Sequence, residues 1–569
     1  MAFICGPRKT KLTARMRYET MLRMQRIALV LVIPFLVGPG VGHKAGAESA
    51  VAAVDPKAIE AHIRFLADDL MLGRETGSRE YEIAARYVAA QFALIGVLPA
   101  GEEGYLQAVP LRRSMLELSS PRFTLFGPNG ETELRFREDF LTDAAIVRER
   151  VDVRAPLVFV GYGIVAPELD HDDYRNLDVN GKIVVALSGK PSSFPSELGA
   201  HVASSREKER YAAERGAVGL VSVVTPTREK VFPFARMAEF LRLPRMSWLD
   251  GDTPANTYEK LSGEAIVSLD AAPKLFRLAP RPFEDVLASI EKEDSPLGFD
   301  LGLEGRIEAR SRHEAISSSN VVGLVRGSDP SLQNEFVVYT AHLDHDGPSS
   351  GPAEDVIYNG ALDNASGVAI LLETARLFAS APKPPRRSIL FAVVTGEERG
   401  LLGADYFARN PTVPRDRIVA DVNLDMPLIL YPLGDVIAFG AEHSSLGDVV
   451  GRAARAVGLE LSPDPFPEQG IFTRSDHYMF VKQGIPSVFL VPGFHSSDPN
   501  VDGGAIFSNF LQQHYHQPSD EPDLPIDYDA GALFTRVNYL IGLEVANAAE
   551  RPTWNPGDYF GRTFGRESR

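Results

Sequence analysis

The chain has 569 residues, more than one hydrophobic core usually holds, so two domains are expected. Its 44% hydrophobic and 24% charged residues exclude a disordered, collagenous or coiled-coil chain. A formal net charge of −17 argues against nucleic acid or an anionic membrane as a partner.

Residues 1–47 read as a secretory signal peptide. Arg23 and Arg26 precede an apolar run over 27–37 that Pro34 interrupts, and Ala45-Gly46-Ala47 supplies a small-x-small cleavage site. The run falls short of the roughly 20 apolar residues of a spanning helix. The mature chain is therefore expected to be exported, secreted or periplasmic, with no stable membrane anchor; Met21 and Met24 are alternative starts. Removing the eight basic residues and one acidic residue of 1–47 takes the net charge to −24. The single cysteine, Cys5, leaves with that segment. No disulfide, thiol nucleophile or cysteine ligand remains, so any metal falls to His and carboxylates.

Residues 48–149 open with two helices around a Gly-rich turn, the second over 79–95 by its apolar spacing. Residues 105–150 alternate as strands do. From 150 to 270 the strand-like runs 157–160, 182–187 and 217–223 and a helix over 204–215 suggest a small α+β domain. It carries no cluster of His and acids and is assigned no chemistry. The main segment, 271–550, turns to α/β rhythm from residue 318. Buried apolar strands at 335–340, 388–394, 419–424 and 487–491 alternate with helices such as 366–380. Such strands predict a three-layer αβα sandwich around a mixed, mostly parallel sheet. Residues 551–569 lack periodicity and read as a loose tail.

His and acidic residues concentrate after these strands. His342 and Asp344 follow 335–340, Glu397 and Glu398 follow 388–394, and Asp425 ends 419–424. Asp363 lies in the loop before a helix, and His516 in a later loop. In open α/β sheets, ligands bind at the C-terminal strand ends. Five nitrogen and oxygen donors there, without cysteine, make a carboxylate–imidazole site for two zinc ions. Two ions roughly 3.5–4 Å apart need one bridging ligand, which a carboxylate provides, and together they activate a water. A carboxylate outside the ligand set must then move the proton. Adjacent glutamates at a strand end can divide those two tasks.

The segments Ala341-His-Leu-Asp344, Gly360-Ala-Leu-Asp-Asn-Ala-Ser-Gly367, Gly396-Glu-Glu-Arg-Gly-Leu-Leu-Gly403, Asn423-Leu-Asp-Met426, Ser475-Asp-His477 and Tyr515-His516 resemble those of the dizinc aminopeptidases. That clan also holds bacterial leucyl aminopeptidase, glutamate carboxypeptidase II and the transferrin receptor. All six occur in family order over 318–550. Residues 150–270 resemble the protease-associated domain inserted in such enzymes, and the stretch before it their first catalytic segment. The resemblance implies that Asp363 bridges two zinc ions, with His342 and Asp425 on one and Glu398 and His516 on the other. It implies Glu397 as general acid/base, Asp344 as a hydrogen-bonding partner of the His342 imidazole, and a cis peptide at Asp363–Asn364.

The implied activity is hydrolysis of N-terminal residues from peptides. Its rivals are a glutamate-type carboxypeptidase or dipeptidase, a glutaminyl cyclase-like enzyme using one zinc, and a non-catalytic binding module. The carboxypeptidase needs an arginine patch, of which only Arg474 is evident near a motif. The binding module predicts lost ligands, whereas all five are present. Among the other histidines, His43 leaves with the leader, and His62, His171, His201, His313, His443 and His495 read as surface or structural. His345 faces away from the ligand row, behind it or in solvent. His477 lines a substrate pocket or packs, and His514 competes with His516.

Overall fold

The computed structural model describes residues 54–292, 296–349 and 355–565, and the signal-peptide reading lies outside them. Helix α1 (Pro56–Leu66) begins where the Asp55 carboxylate accepts from the Lys57 N–H, with Pro56 at the first position. Helix α2 (Arg79–Leu94) is capped in the same way by Ser78. Strands β1 (Leu106–Leu116), β2 (Arg122–Gly127), β3 (Arg150–Phe159) and β4 (Ile183–Leu187) follow. Next come α3 (Ser196–Val202), α4 (Ser205–Glu214), β5 (Gly219–Val223), α5 (Pro226–Val231), α6 (Phe234–Glu239), β6 (Arg245–Asp250) and β7 (Gly263–Val267). The 27-residue strand β8 (Phe299–Val325) then joins two sheets.

The first part of β8 pairs with β2 and β3, and β3 continues through parallel β4 and β5 to β7. From Ser311 onward β8 pairs instead with β1, and from Val321 also with β10 (Ser388–Val394). No break in the alternating sequence marks this change of sheet; the partners on either side decide it. The described residues all fall within one compact unit.

The main sheet runs β6–β1–β8–β10–β9–β11–β13–β12, with β9 (Phe336–His342), β11 (Ile418–Leu424), β12 (Asp435–Phe439) and β13 (Ser487–Pro492). Its central strands β10, β9, β11 and β13 are parallel, so their C-terminal ends share one edge. Val337, Tyr339 and Ala341 of β9 pack with Ile389, Phe391 and Val393 of β10 on one face. There they meet α1, α2, α7 (Ser366–Ser380) and α12 (Tyr528–Asn547). The alternate residues Phe336, Val338, Leu390 and Ala392 pack on the other face with α8 (Leu402–Arg409), α10 (His477–Val481) and α13 (Tyr559–Phe564). Burial on both faces explains the unbroken apolar runs, and each buried Val, Leu or Phe contributes about 1.5–3 kcal/mol.

Residues 551–565 are not the loose tail expected of them. Arg551 pairs with Glu335 at 2.7 Å, and α13 buries Phe560 completely. A six-residue helix is too short to show periodicity; an aromatic anchor holds it. No helix among the described residues is long and apolar enough to cross a membrane.

Candidate metal centre

The parallel register makes the site. Thr340 of β9 lies opposite Asn423 of β11, so two residues further on, on the same face, His342 and Asp425 stand side by side. The His342 Nε2 is 3.1 Å from the Asp425 Oδ1. Asp363, in the loop before α7, places Oδ1 3.3 Å from the His342 Nε2 and Oδ2 3.2 Å from the His516 Nε2. Glu398 closes the row, its Oε2 3.3 Å from the His516 Nε2. The structure thus brings all five sequence-predicted ligands together, with Asp363 in the middle. The Asp363–Asn364 peptide is cis, as expected.

Each member is held from behind. The His342 Nδ1 faces the Asp344 main-chain carbonyl at 3.1 Å, which leaves Nε2 turned to the site. The Asp344 contact with the imidazole runs through its main-chain carbonyl and not through its carboxylate. The chain turns after β9, and the carboxylate is taken by the Thr76 hydroxyl (3.0 Å) and the Glu397 main-chain N–H (3.1 Å). His345 is fully buried behind the row, its Nδ1 2.6 Å from the Glu398 Oε1. Ser475 donates to the Asp425 Oδ2 at 2.5 Å.

Several supports were missed in the sequence. The buried Arg74 guanidinium donates to the carbonyls of Leu343, Asn359 and Gly360, pinning the β9 end to the Asp363 loop. Asp520 accepts from the Leu362 and Asp363 N–H groups at 2.9 and 3.0 Å. Asp346 pairs with Arg399 at 3.0 Å and lies 3.6 Å from the His516 Nδ1. Asp520 stands in the same loop as His516 and was within reach of a sequence reading. Arg74 was not, since its partners are main-chain atoms about 270–290 positions away.

His514 is half-buried and bonds Ser519, away from the row, so His516 is the histidine of the site. His477 is fully buried against Phe472 and Phe489, a packing position. The stretch 150–270, given no chemistry, reaches the site after all. Arg236 of α6 donates to the Tyr515 carbonyl at 2.9 Å, and the Phe240 ring lies 6.1 Å from the His516 ring.

The electrostatics are those of a cation site. Burial disfavours a charged His516, yet Glu398, Asp363 and Asp346 lift it to about 9. Glu397 is pushed well above the usual carboxylate range by burial, reinforced by Asp425 and Glu398. Its Oε2 lies 4.0 Å from the His342 Nε2, outside the row of close contacts. The spacing also fits zinc. Two atoms each about 2.0–2.1 Å from one ion at a tetrahedral angle lie about 3.3 Å apart, whereas a direct charge-assisted hydrogen bond is about 2.7–2.9 Å. Three of the four contacts of the row, at 3.2 to 3.3 Å, match the first value, and His342–Asp425 at 3.1 Å lies between the two.

Comparison with known proteins points the same way. Residues 320–540 match peptidase family M28. Aminopeptidase NAALADL1 of Mus musculus is 34% identical over 134 residues, 22% of this chain and 16% of that protein. A probable zinc metalloprotease of Leptosphaeria maculans is 43% identical over 96 residues, 16% of this chain and 20% of that protein. The chain thus spans about a sixth to a fifth of the length of these curated relatives. The solved aminopeptidase from Aneurinibacillus sp. strain AM-1 superposes with a TM-score of 0.53 over 90% of this chain and 99% of its own. At 19% identity, that likeness speaks for the fold. The motifs, the five-membered row and the family comparison point the same way: residues 320–540 of this chain match peptidase family M28.

Proposed function

We propose that the chain is an exported zinc metallopeptidase that removes N-terminal residues from peptides, with two zinc ions held by His342, Asp363, Glu398, Asp425 and His516. The observation that carries this reading is the Asp363 carboxylate between two imidazoles, 3.3 and 3.2 Å away. One oxygen for each side is what a bridging ligand needs. His342 and Asp425 complete one half, His516 and Glu398 the other.

When bound, the zinc pair supplies Lewis-acid activation of a water and of the scissile carbonyl. The protein's own part is proton transfer and orientation. Glu397 stands beside the row without joining it; it takes the proton from the attacking water and delivers it to the leaving amine. The Asp344 carboxylate fixes the turn that carries Glu397 and Glu398 by accepting from their N–H groups at 3.1 and 3.4 Å. The mature chain's acidity keeps nucleic acid out of the reading, and peptide is its partner.

The test is a panel of aminoacyl-anilides beside N-terminally and C-terminally blocked dipeptides, offered to zinc-loaded protein. Cleavage of free-amino substrates and refusal of N-blocked ones is expected. The reverse pattern would establish the second reading, a carboxypeptidase. That reading draws on Arg474, which donates to the Tyr515 hydroxyl at 3.2 Å beside His516.

A further inference from the structure

A cavity of about 530 Å³ opens beside the metal row, and none of the row's five residues is among those that line it. Three parts of the chain make its walls. On the paired strands β1 and β8, Arg113 stands opposite Glu314, and Met115 opposite Arg312. Residues directly opposite share a face, as do residues two apart, so these four side chains project on one side of the sheet. The second wall is Arg242–Pro244, the link that leads from α6 into β6. The third is formed by Glu75, which ends the turn after α1, and by Asp346, beyond β9.

The charges on these walls are unevenly satisfied. Arg113 and Glu314 pair with each other at 2.6 Å, and the His313 Nε2 is taken up by the Ala145 carbonyl at 2.8 Å. Arg312 is exposed and forms no ion pair or hydrogen bond with another described residue. Arg242 lies 4.7 Å from the centre of the Tyr358 ring and has no carboxylate partner among the described residues. On the third wall, the half-buried Glu75 carboxylate receives no hydrogen bond from a described residue. Burial raises its pKa against the pull of Arg399, Arg113 and Arg242. Asp346 is 2% exposed, and its Oδ2 has no hydrogen-bond partner, although its Oδ1 accepts from Arg399.

Two guanidinium groups on two walls and acceptor oxygens on the third call for a ligand with one anionic and one cationic end. Arginine holds a carboxylate through parallel N–H donors, and an ammonium group has three hydrogens for acceptors of the Glu75 kind. Met115, Leu243 and Pro244 line the space between with apolar surface. The volume falls within the roughly 300–1,000 Å³ usual for small-molecule sites.

We propose that this cavity binds a short peptide with both ends free, its carboxylate on Arg242 and Arg312 and its ammonium on Glu75, at a site separate from the metal row. The inference goes beyond the hydrolytic reading and does not need it, since binding and not turnover reports it. The site borders the metal row at two points. Asp346 lies 3.6 Å from the His516 Nδ1, and Arg242 ends the three-residue turn that Phe240, beside the His516 ring, begins.

The experiment is calorimetric titration of the zinc-loaded full chain with L-leucyl-N-methyl-L-leucine, whose N-methylated peptide bond resists hydrolysis. Its N-acetylated and C-amidated forms are titrated beside it, on wild type and on Arg312→Gln, Arg242→Gln and Glu75→Gln. The free dipeptide is expected to bind wild type, with each capped form and each variant weaker by about ten- to a hundredfold, the loss of one hydrogen bond to a charged group. A cap and the matching substitution remove the same contact, so their effects should not add. Arg312→Gln should therefore weaken the amide no further, and Glu75→Gln the acetylated form no further. Arg312 is exposed and unbonded, so its replacement does not act through folding, and melting temperatures check the other two variants. No binding to wild type overturns the proposal. Undiminished binding to Arg312→Gln and Arg242→Gln also overturns it, because the dipeptide then sits elsewhere, the metal row included. A capped form that binds as tightly as the free dipeptide overturns the assignment of a ligand with two charged ends.

Discussion

The molecule contains two clusters of histidine and carboxylate that look alike in composition and behave differently in space. One is the Asp363 row at the strand ends. The other gathers Glu197 on α3, Glu442, His443 and Asp558 where the stretch 150–270 meets the segment 320–540 and α13. In the first, histidine and carboxylate atoms stand 3.1 to 3.3 Å apart, the separation of atoms sharing an ion. In the second, His443 is in direct contact with carboxylates through both ring nitrogens, with Asp558 at 2.6 Å and with Glu197 closer still. An imidazole that donates from both nitrogens is protonated and has no lone pair for a metal. Burial alone would lower the His443 pKa, but Asp558 and Glu197 outweigh it and lift it to about 10. The same residue types thus form a candidate metal centre where Asp363 stands between them, and an ion-pair latch where they close on one another.

The sharpest way to break this contrast is to remove the metal. A strong chelator is expected to abolish peptide hydrolysis and added zinc to restore it, with two zinc ions per chain by elemental analysis. A third ion, or full activity in metal-free protein, would erase the distinction.

The next largest effect belongs to the proton carrier. Glu397→Gln should keep both zinc ions and lose about 10²–10⁴ of turnover, the contribution usual for a general acid/base. Near-normal kcat in that variant would remove Glu397 from its role.

The latch side predicts stability without chemistry. His443→Gln should leave the zinc content at two and lower the unfolding free energy by about 3 kcal/mol, since it strands carboxylates that had shared one cation. Denaturant titration reads this directly. Loss of zinc with little loss of stability would turn the second cluster into a metal site.

A smaller effect is a two-sided pH dependence of melting. His443, with its pKa raised to about 10, contributes stability that is full below its unfolded value near 6.5. That contribution is lost as pH rises towards 10. His201 on α3 is the opposite case. It packs against Tyr478, Tyr559, Phe560 and Phe564, and burial depresses it to about 4. Its contribution is full above pH 6.5 and lost as pH falls towards 4. His443→Gln should flatten the alkaline limb of the melting curve alone. An unchanged alkaline limb would show that His443 carries no such linkage.

Much of the metal centre was legible in the sequence because its residues sit where local structure puts them. His342 and Asp425 close apolar strands, Glu398 follows another, and a parallel sheet covered on both faces aligns those ends. The reading failed where the partner is remote or belongs to the main chain. Asp344 meets His342 through its main-chain carbonyl, while its carboxylate is taken by Thr76 and the Glu397 N–H, a division its side-chain type does not reveal. The stretch 150–270 was given no chemistry because its own sequence holds no cluster, yet it contributes Glu197 to a shared one and reaches His516 through Arg236 and Phe240. The 551–565 segment looked loose because one buried aromatic in a short helix leaves no period.

What the sequence by itself determined was the identity of the donors and the absence of cysteine among residues 48–569, which forces any metal onto imidazole and carboxylate. Strand-end placement, set by apolar runs and the residues that terminate them, went with it. Tertiary structure alone decided the distances: which His and acid atoms stand apart around Asp363, and which close into a latch at His443. A side chain's type fixes whether it can donate or ligate, but only the packing of distant elements fixes the ångström or less that separates those two outcomes.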